Sequence, residues 1–160
     1  MPMSTPAIAP LYVQRKLLNA CDVLTWATLQ GLPSILEPSE LHVTICLSPT
    51  PLDWTKTPKA PNTLTVPADQ NRKVEPIGLL GSQALKFHSP ELTQRWQQLL
   101  DAGASWPYSD YQPHLTLTYY SDPLFDYTTI SPYNGPLKLG PEIFQHLNPA
   151  YSDTAPTITL

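Results

Sequence analysis

Two short stretches hold the residues whose types and spacing could do chemistry. His42-Val43-Thr44 and His114-Leu115-Thr116 repeat one His-x-Thr pattern 72 positions apart, in a chain with only four histidines. Each copy alternates with apolar neighbours, as Leu41-His42-Val43-Thr44-Ile45 and Pro113-His114-Leu115-Thr116-Leu117. That is the two-residue period of a strand, so the imidazole and the hydroxyl leave by one face and the apolar residues by the other. Two such strands side by side would put two imidazoles and two hydroxyls around a common cleft. Near neutral pH an imidazole is available both as base and as acid. One histidine can therefore take a proton from an attacking hydroxyl or water, and the other can protonate a leaving oxygen. Thr44 and Thr116 can hydrogen-bond the non-bridging oxygens of a phosphate. This is a constellation for phosphodiester chemistry that calls for no metal and no cofactor. The equivalent frames do not say which histidine is the base. A His-x-Thr on a strand can also be an ordinary half-buried pair, and it is the repetition that favours chemistry.

The elements that must position these strands can be read along the chain. The length of 160 residues suits one domain. We expect a flexible segment over 1–10, a single domain over 11–147 and a tail over 148–160. Residues 11–17 read as a strand. Asn19 is placed to cap a helix whose Ala20, Val23, Leu24 and Ala27 share a face, with Gly31 as its stop. Strand, helix and the His42 strand make a first lobe. Residues 49–61, rich in proline and containing Trp54, read as a loop at the cleft rim or a packed corner. Short strands are expected at 64–66, 74–80 and 84–87. Ser89-Pro90-Glu91 then opens a second helix, with Leu92, Trp96, Leu99 and Leu100 as its buried stripe and Gly103 at its end. Residues 104–113 carry Trp106, Tyr108 and Tyr111, which would either cradle a planar ligand or pack on one another as a lid. The His114 strand runs to Tyr120, a turn-rich link covers 121–136, and 137–147 read as a last strand in which Pro141 marks a bulge or a sheet edge. The fold class is α/β, or α+β in another classification, with two pseudo-symmetric lobes of antiparallel sheet and helix around a central cleft.

The paired signatures resemble those of the two-histidine (2H) phosphoesterases. The stretch from Leu11-Tyr12-Val13-Gln14-Arg15-Lys16 through Val23-Leu24-Thr25-Trp26-Ala27 and Gly31, followed by Leu41 to Ile45 and Pro51-Leu52-Asp53-Trp54, is similar to the phage anti-CBASS phosphodiesterases. The resemblance spans most of 11–147 and is strongest before residue 55. It implies an enzyme that degrades the cyclic di- or trinucleotide messengers of a bacterial anti-phage defence, working in the host cytoplasm. By that resemblance a ribose 2′-hydroxyl of the substrate would attack its neighbouring phosphate, with His42, Thr44, His114 and Thr116 as the catalytic set. It also implies that Tyr12 stacks on a nucleobase and that Glu142 hydrogen-bonds a base edge. Without it, Tyr12 would be a packed strand tyrosine and Glu142 an exposed edge-strand carboxylate.

Composition narrows the partners. A net charge of −4 provides no broad basic surface for long nucleic acid, although a small anion in a local pocket remains compatible. Twenty prolines predict short elements and stiff connections. Cys21 and Cys46 have neither metal-ligand nor disulfide spacing, which suits reduced thiols in a soluble intracellular protein. Cys46 is in phase with His42 and Thr44 and would either approach the cleft or fill space. Arg15 and Lys16 are placed to help hold phosphate or to be solvated strand-end charges. His88 and His146 lack a threonine partner and read as surface or packing residues. Rival functions are an RNA-end 2′,3′-cyclic phosphodiesterase of the LigT type, a non-catalytic cyclic-nucleotide sponge, and a structural module of a virion.

Overall fold

The computed structural model describes residues 8–78 and 81–147. In chain order the elements are β1 (Ile8–Leu17), α1 (Ala20–Gln30), β2 (His42–Asp53), β3 (Leu64–Val66), β4 (Lys73–Ile77), β5 (Ser82–Lys86), α2 (Pro90–Asp101), β6 (His114–Thr118) and β7 (Leu137–His146). The strands form two antiparallel sheets, one ordered β2-β1-β7-β3 and the other β4-β5-β6. With wholly antiparallel sheets, the α+β description applies.

Alternation in β1 decides what each face of the larger sheet carries. Leu11 and Val13 are fully buried in the core, which they share with Leu41, Val43 and Ile45 from β2 and its approach. Tyr12, Gln14 and Lys16 leave by the opposite face. In the smaller sheet Leu115 and Leu117 of β6 and Leu85 of β5 enter the same core. Each fully buried leucine stabilises the fold by about 1.5–3 kcal/mol relative to exposure. Strands β2 and β6 are edge strands of their respective sheets, and they run close to each other. The two His-x-Thr frames are thus brought together by the packing of two sheets rather than by pairing within one.

The helices hold this arrangement from the apolar side. Ser89 accepts a hydrogen bond from the Leu92 amide at 3.2 Å, Pro90 takes the first helical position, and Leu92 and Leu99 are buried. α1 ends at Gly31, whose φ of 75° is a left-handed cap that glycine adopts without strain. Asn19 occupies the cap position of α1 but does not cap it with its side chain. Its amide instead reaches the Pro136 carbonyl at 2.8 Å and accepts from the Lys138 amide at 2.9 Å, tying the helix start to β7.

Several boundaries depart from the sequence reading. β1 starts at Ile8, inside the segment expected to be flexible over 1–10; residues 1–7, Leu79 and Leu80 of the expected 74–80 strand, and the expected tail over 148–160 lie outside the described residues. β2 continues through Pro49 and Pro51 to Asp53, where a loop was expected. As an edge strand, β2 needs no amide donors on its outer side, and both prolines are exposed there. Trp54 makes the packed corner, donating to the Ala9 carbonyl at 3.0 Å and lying 4.9 Å from the His146 ring. Pro141 sits at a register shift between Arg15 and Leu17, the expected bulge, on a strand that is not at the edge of the sheet.

Candidate active site

His42 and His114 are the first residues of β2 and β6, and each makes the same local contact. His42 Nδ1 lies 2.7 Å from the Glu40 carbonyl, and His114 Nδ1 lies 2.8 Å from the Gln112 carbonyl, in both cases two residues back. A carbonyl only accepts, so Nδ1 carries the proton in both rings and the neutral tautomer offers its lone pair at Nε2. Thr44 and Thr116, each 3% exposed, follow on the same faces.

The two imidazoles differ in surroundings. His42 is half-buried, and its Nε2 lies 3.1 Å from the Tyr12 hydroxyl. That hydroxyl also lies 2.7 Å from Thr44 Oγ1. With His42 neutral, Tyr12 donates to Nε2 and accepts from Thr44; with His42 protonated, the direction of the chain reverses. His114 is buried, and its Nε2 has no hydrogen-bond partner among the described residues. Desolvation pushes His114 down to about 4, opposed by its backbone hydrogen bond and aided by the charges of His42 and Lys86. His42 is also lowered, first by burial and also by Lys16, while its bond to the Glu40 carbonyl and the Glu40 charge act the other way.

A second layer supports this pair. Tyr111 donates from its hydroxyl to the Thr44 carbonyl at 2.8 Å. Its ring stacks on Trp96 at 5.5 Å and meets Trp106 edge-on at 5.7 Å, with Tyr108 packed on Trp106. The aromatic residues of 104–113 thus pack on one another and on α2, and they brace β2. Burial raises the Tyr111 phenol far above its ordinary range, so it stays a donor. Cys46 is fully buried and its thiol is pushed up to about 12 by desolvation, which fits the space-filling reading.

The structure places Glu142 elsewhere than expected. It pairs in register with Arg15, whereas Gln145 pairs with Tyr12, and residues an odd number apart on one strand leave by opposite faces. Glu142 is therefore turned away from the Tyr12 face. Its carboxylate accepts from Arg95 Nε at 2.8 Å, Arg95 Nη2 at 3.0 Å and the Ala60 amide at 2.8 Å, with Arg15 Nη2 at 3.9 Å. The side chain is 0% exposed, so it is neither an exposed edge carboxylate nor a group open to a base edge in this arrangement. Arg15 is likewise buried, donating to the Asn62 and Gly140 carbonyls at 2.8 and 2.7 Å. It is not a solvated strand-end charge. The polar residue of β7 that shares the Tyr12 face is Gln145, which accepts from Gln14 Nε2 at 2.7 Å.

Sequence reasoning missed three things here: the Tyr12 hydroxyl as a bridge between His42 and Thr44, the Tyr111 brace, and the Arg15–Glu142–Arg95 cluster. The first had a signal. Tyr12 alternates with Gln14 and Lys16, and a polar face on a central strand needs partners. The others depend on contacts between distant segments, which no local pattern announces.

Comparison with known proteins gives the family and the fold. A model of the family described as anti-CBASS protein Acb1 matches residues 9–154. The chain is 40% identical over 148 residues to an anti-CBASS protein Acb1 of Caulobacter sp. (strain RHG1), and 39% identical over 144 residues to one of Sphingomonas paeninsulae. These alignments cover 90% and 86% of this chain but 23% of each relative, so the chain spans about a quarter of their length. Among solved structures, E. coli LigT complexed with phosphate superposes with a TM-score of 0.56 at 15% identity, over 86% of both chains. That likeness establishes a two-histidine phosphoesterase-like fold. With the family model covering nearly its whole length, the chain belongs to the anti-CBASS protein Acb1 family.

Proposed function

We propose that this domain is a phosphodiesterase that opens cyclic di- or trinucleotide messengers, and so lets a phage evade CBASS defence in the host cytoplasm. The observation that carries the reading is the matched pair of imidazoles, each with Nδ1 tied to a carbonyl two residues back. The depressed, buried His114 is neutral at pH 7 and acts as the base. His42, more open and linked to the Tyr12 hydroxyl, acts as the acid.

In the first step His114 Nε2 takes the proton of a ribose 2′-hydroxyl, O2′ bonds to phosphorus, and the P–O5′ bond breaks. His42 delivers a proton to the leaving O5′. The ring is then linear and ends in a 2′,3′-cyclic phosphate. In the second step water attacks that phosphate, the now neutral His42 takes the water's proton, and His114 returns its proton to O2′. Thr44 and Thr116 hold the non-bridging oxygens, where added charge develops. General acid–base catalysis of this kind contributes about 10²–10⁴ in rate per group.

The test is incubation of the protein with a panel of cyclic di- and trinucleotides, and with an RNA oligonucleotide ending in a 2′,3′-cyclic phosphate, in EDTA, followed by chromatography. Linear products from the wild type, lost in His42→Ala and His114→Ala, support the reading. Intact rings alongside opened 2′,3′-cyclic phosphate ends on RNA would move it to an RNA-end enzyme. Rings recovered unchanged from a tight complex would make the protein a sponge.

A further inference from the structure

The strand register lines up basic residues beside both histidines. In the smaller sheet Lys73 of β4 is paired with Lys86 of β5, and Lys86 is paired with His114 of β6. Directly opposed residues of antiparallel strands leave by the same face with Cβ atoms about 5 Å apart. Three basic groups therefore stand in one row on the face that carries Thr116, spanning two strand spacings, or about 10 Å. The larger sheet repeats the motif in shorter form, with Lys16 of β1 paired with His42 of β2. Three of the six lysines in a chain of net charge −4 thus fall on the two rows that carry the site histidines.

Like charges set directly opposite each other destabilise a sheet. Lys73 opposite Lys86 is such a pair, and among the described residues one answering carboxylate reaches the row: Glu75, 3.3 Å from Lys86 Nζ with its side chain 44% exposed. Lys16 directs one donor to the Ser39 carbonyl at 3.1 Å at an exposed site. Both Lys16 and Lys86 are felt by the neighbouring imidazole, which places their charges close to the cleft. A row of cations beside a phosphodiester site has one obvious complement, a second phosphate.

We propose that Lys73 and Lys86, with Lys16 on the other wall, form a binding site for the phosphate adjacent to the scissile one in an oligonucleotide substrate. The assignment rests on the phosphodiesterase reading above and extends it to a part of the ligand that does not react. It gives an acidic chain a local means of holding a polyanion, since half of its lysines stand on the two rows that carry the site histidines. It also makes ligands with at least two phosphates the preferred class.

The experiment measures binding of two linear deoxydinucleotides by calorimetry, one with and one without a 3′-terminal phosphate. Neither has a 2′-hydroxyl, so neither can be cleaved by the proposed route. The wild type is expected to hold the phosphorylated form about tenfold more tightly, the worth of one charge-assisted contact. Lys86→Gln and Lys73→Gln are each expected to shrink that preference at least threefold, while Lys86→Arg keeps it. Circular dichroism confirms that each variant is folded, and the use of two positions, exposed Lys73 and half-buried Lys86, guards against one failing to fold. Equal affinity for the two ligands in the wild type, or a preference unchanged in both glutamine variants, would overturn the assignment. A protein that cleaves rings yet shows no preference loses the lysine site alone. One that shows the preference yet leaves every ring intact loses the catalytic reading alone.

Discussion

Replacing Glu142 by glutamine separates a structural carboxylate from one that reads a nucleobase. The wild-type carboxylate receives two hydrogen bonds from Arg95 and one from the Ala60 amide, with a second guanidinium 3.9 Å away and none of its side chain exposed. Glutamine keeps the shape but removes the charge and turns one acceptor into a donor that faces another donor. Breaking one side of a buried ion pair typically costs about 3–5 kcal/mol, because the remaining charge is left uncompensated. Against a total stability of about 5–15 kcal/mol, that is a large fraction. With a urea m value near 2 kcal/mol/M, the midpoint is expected to fall by roughly 1.5–2.5 M at unchanged m. Activity per folded molecule, and base preference across a nucleotide panel, are expected to stay within threefold of wild type. Replacing Glu142 and Arg95 together by leucine removes both charges of the closer pair and is expected to recover part of the loss. A Glu142→Gln protein as stable as wild type but altered in base preference would refute this account and restore the base-reading role.

Other perturbations follow from the same geometry. Tyr12→Phe removes the hydroxyl that bridges His42 and Thr44; losing about 1–1.5 kcal/mol of positioning is expected to lower kcat about tenfold, read by steady-state kinetics, with little change in stability. Tyr111→Phe frees the Thr44 carbonyl and is expected to cost about 1 kcal/mol in urea unfolding while leaving the Trp96 stack in place. Stability is also expected to depend on pH through His114. The unfolded chain takes up this proton as pH falls below 6.5 and the folded chain only near 4, so stability is full at neutral pH and falls through that window by roughly 3 kcal/mol. Denaturant midpoints of wild type and His114→Asn, compared between pH 7 and pH 4, check this; equal slopes for the two proteins would count against the buried neutral imidazole.

How much of this was legible in the sequence depends on the range of the interaction. The His-x-Thr strands, the Ser89-Pro90 helix start and the Gly31 stop are written in neighbouring residues, because strand alternation and helix caps are local. The pairing of β1 with both β2 and β7 is not local, and it put Glu142 on the face opposite Tyr12. Residues 49–53 read as a loop because proline counts against strands, yet the prolines fall on an edge where no amide is needed. Arg15 looked like a solvent charge because it stands near a strand end beside Lys16; a single step along a strand changes the face and with it the environment. The tautomers of both histidines are set by backbone carbonyls, which no side-chain pattern encodes.

The most direct test of the central claim is single-turnover cleavage of a cyclic dinucleotide and its 2′-deoxy analogue by wild type, His42→Ala and His114→Ala. Two imidazoles working through a ribose hydroxyl predict that the wild type opens only the ribose ring, by way of a 2′,3′-cyclic phosphate. Either histidine variant is expected to be slower by at least about 10². Equal cleavage of the deoxy analogue, or a wild-type rate in His114→Ala, would contradict it.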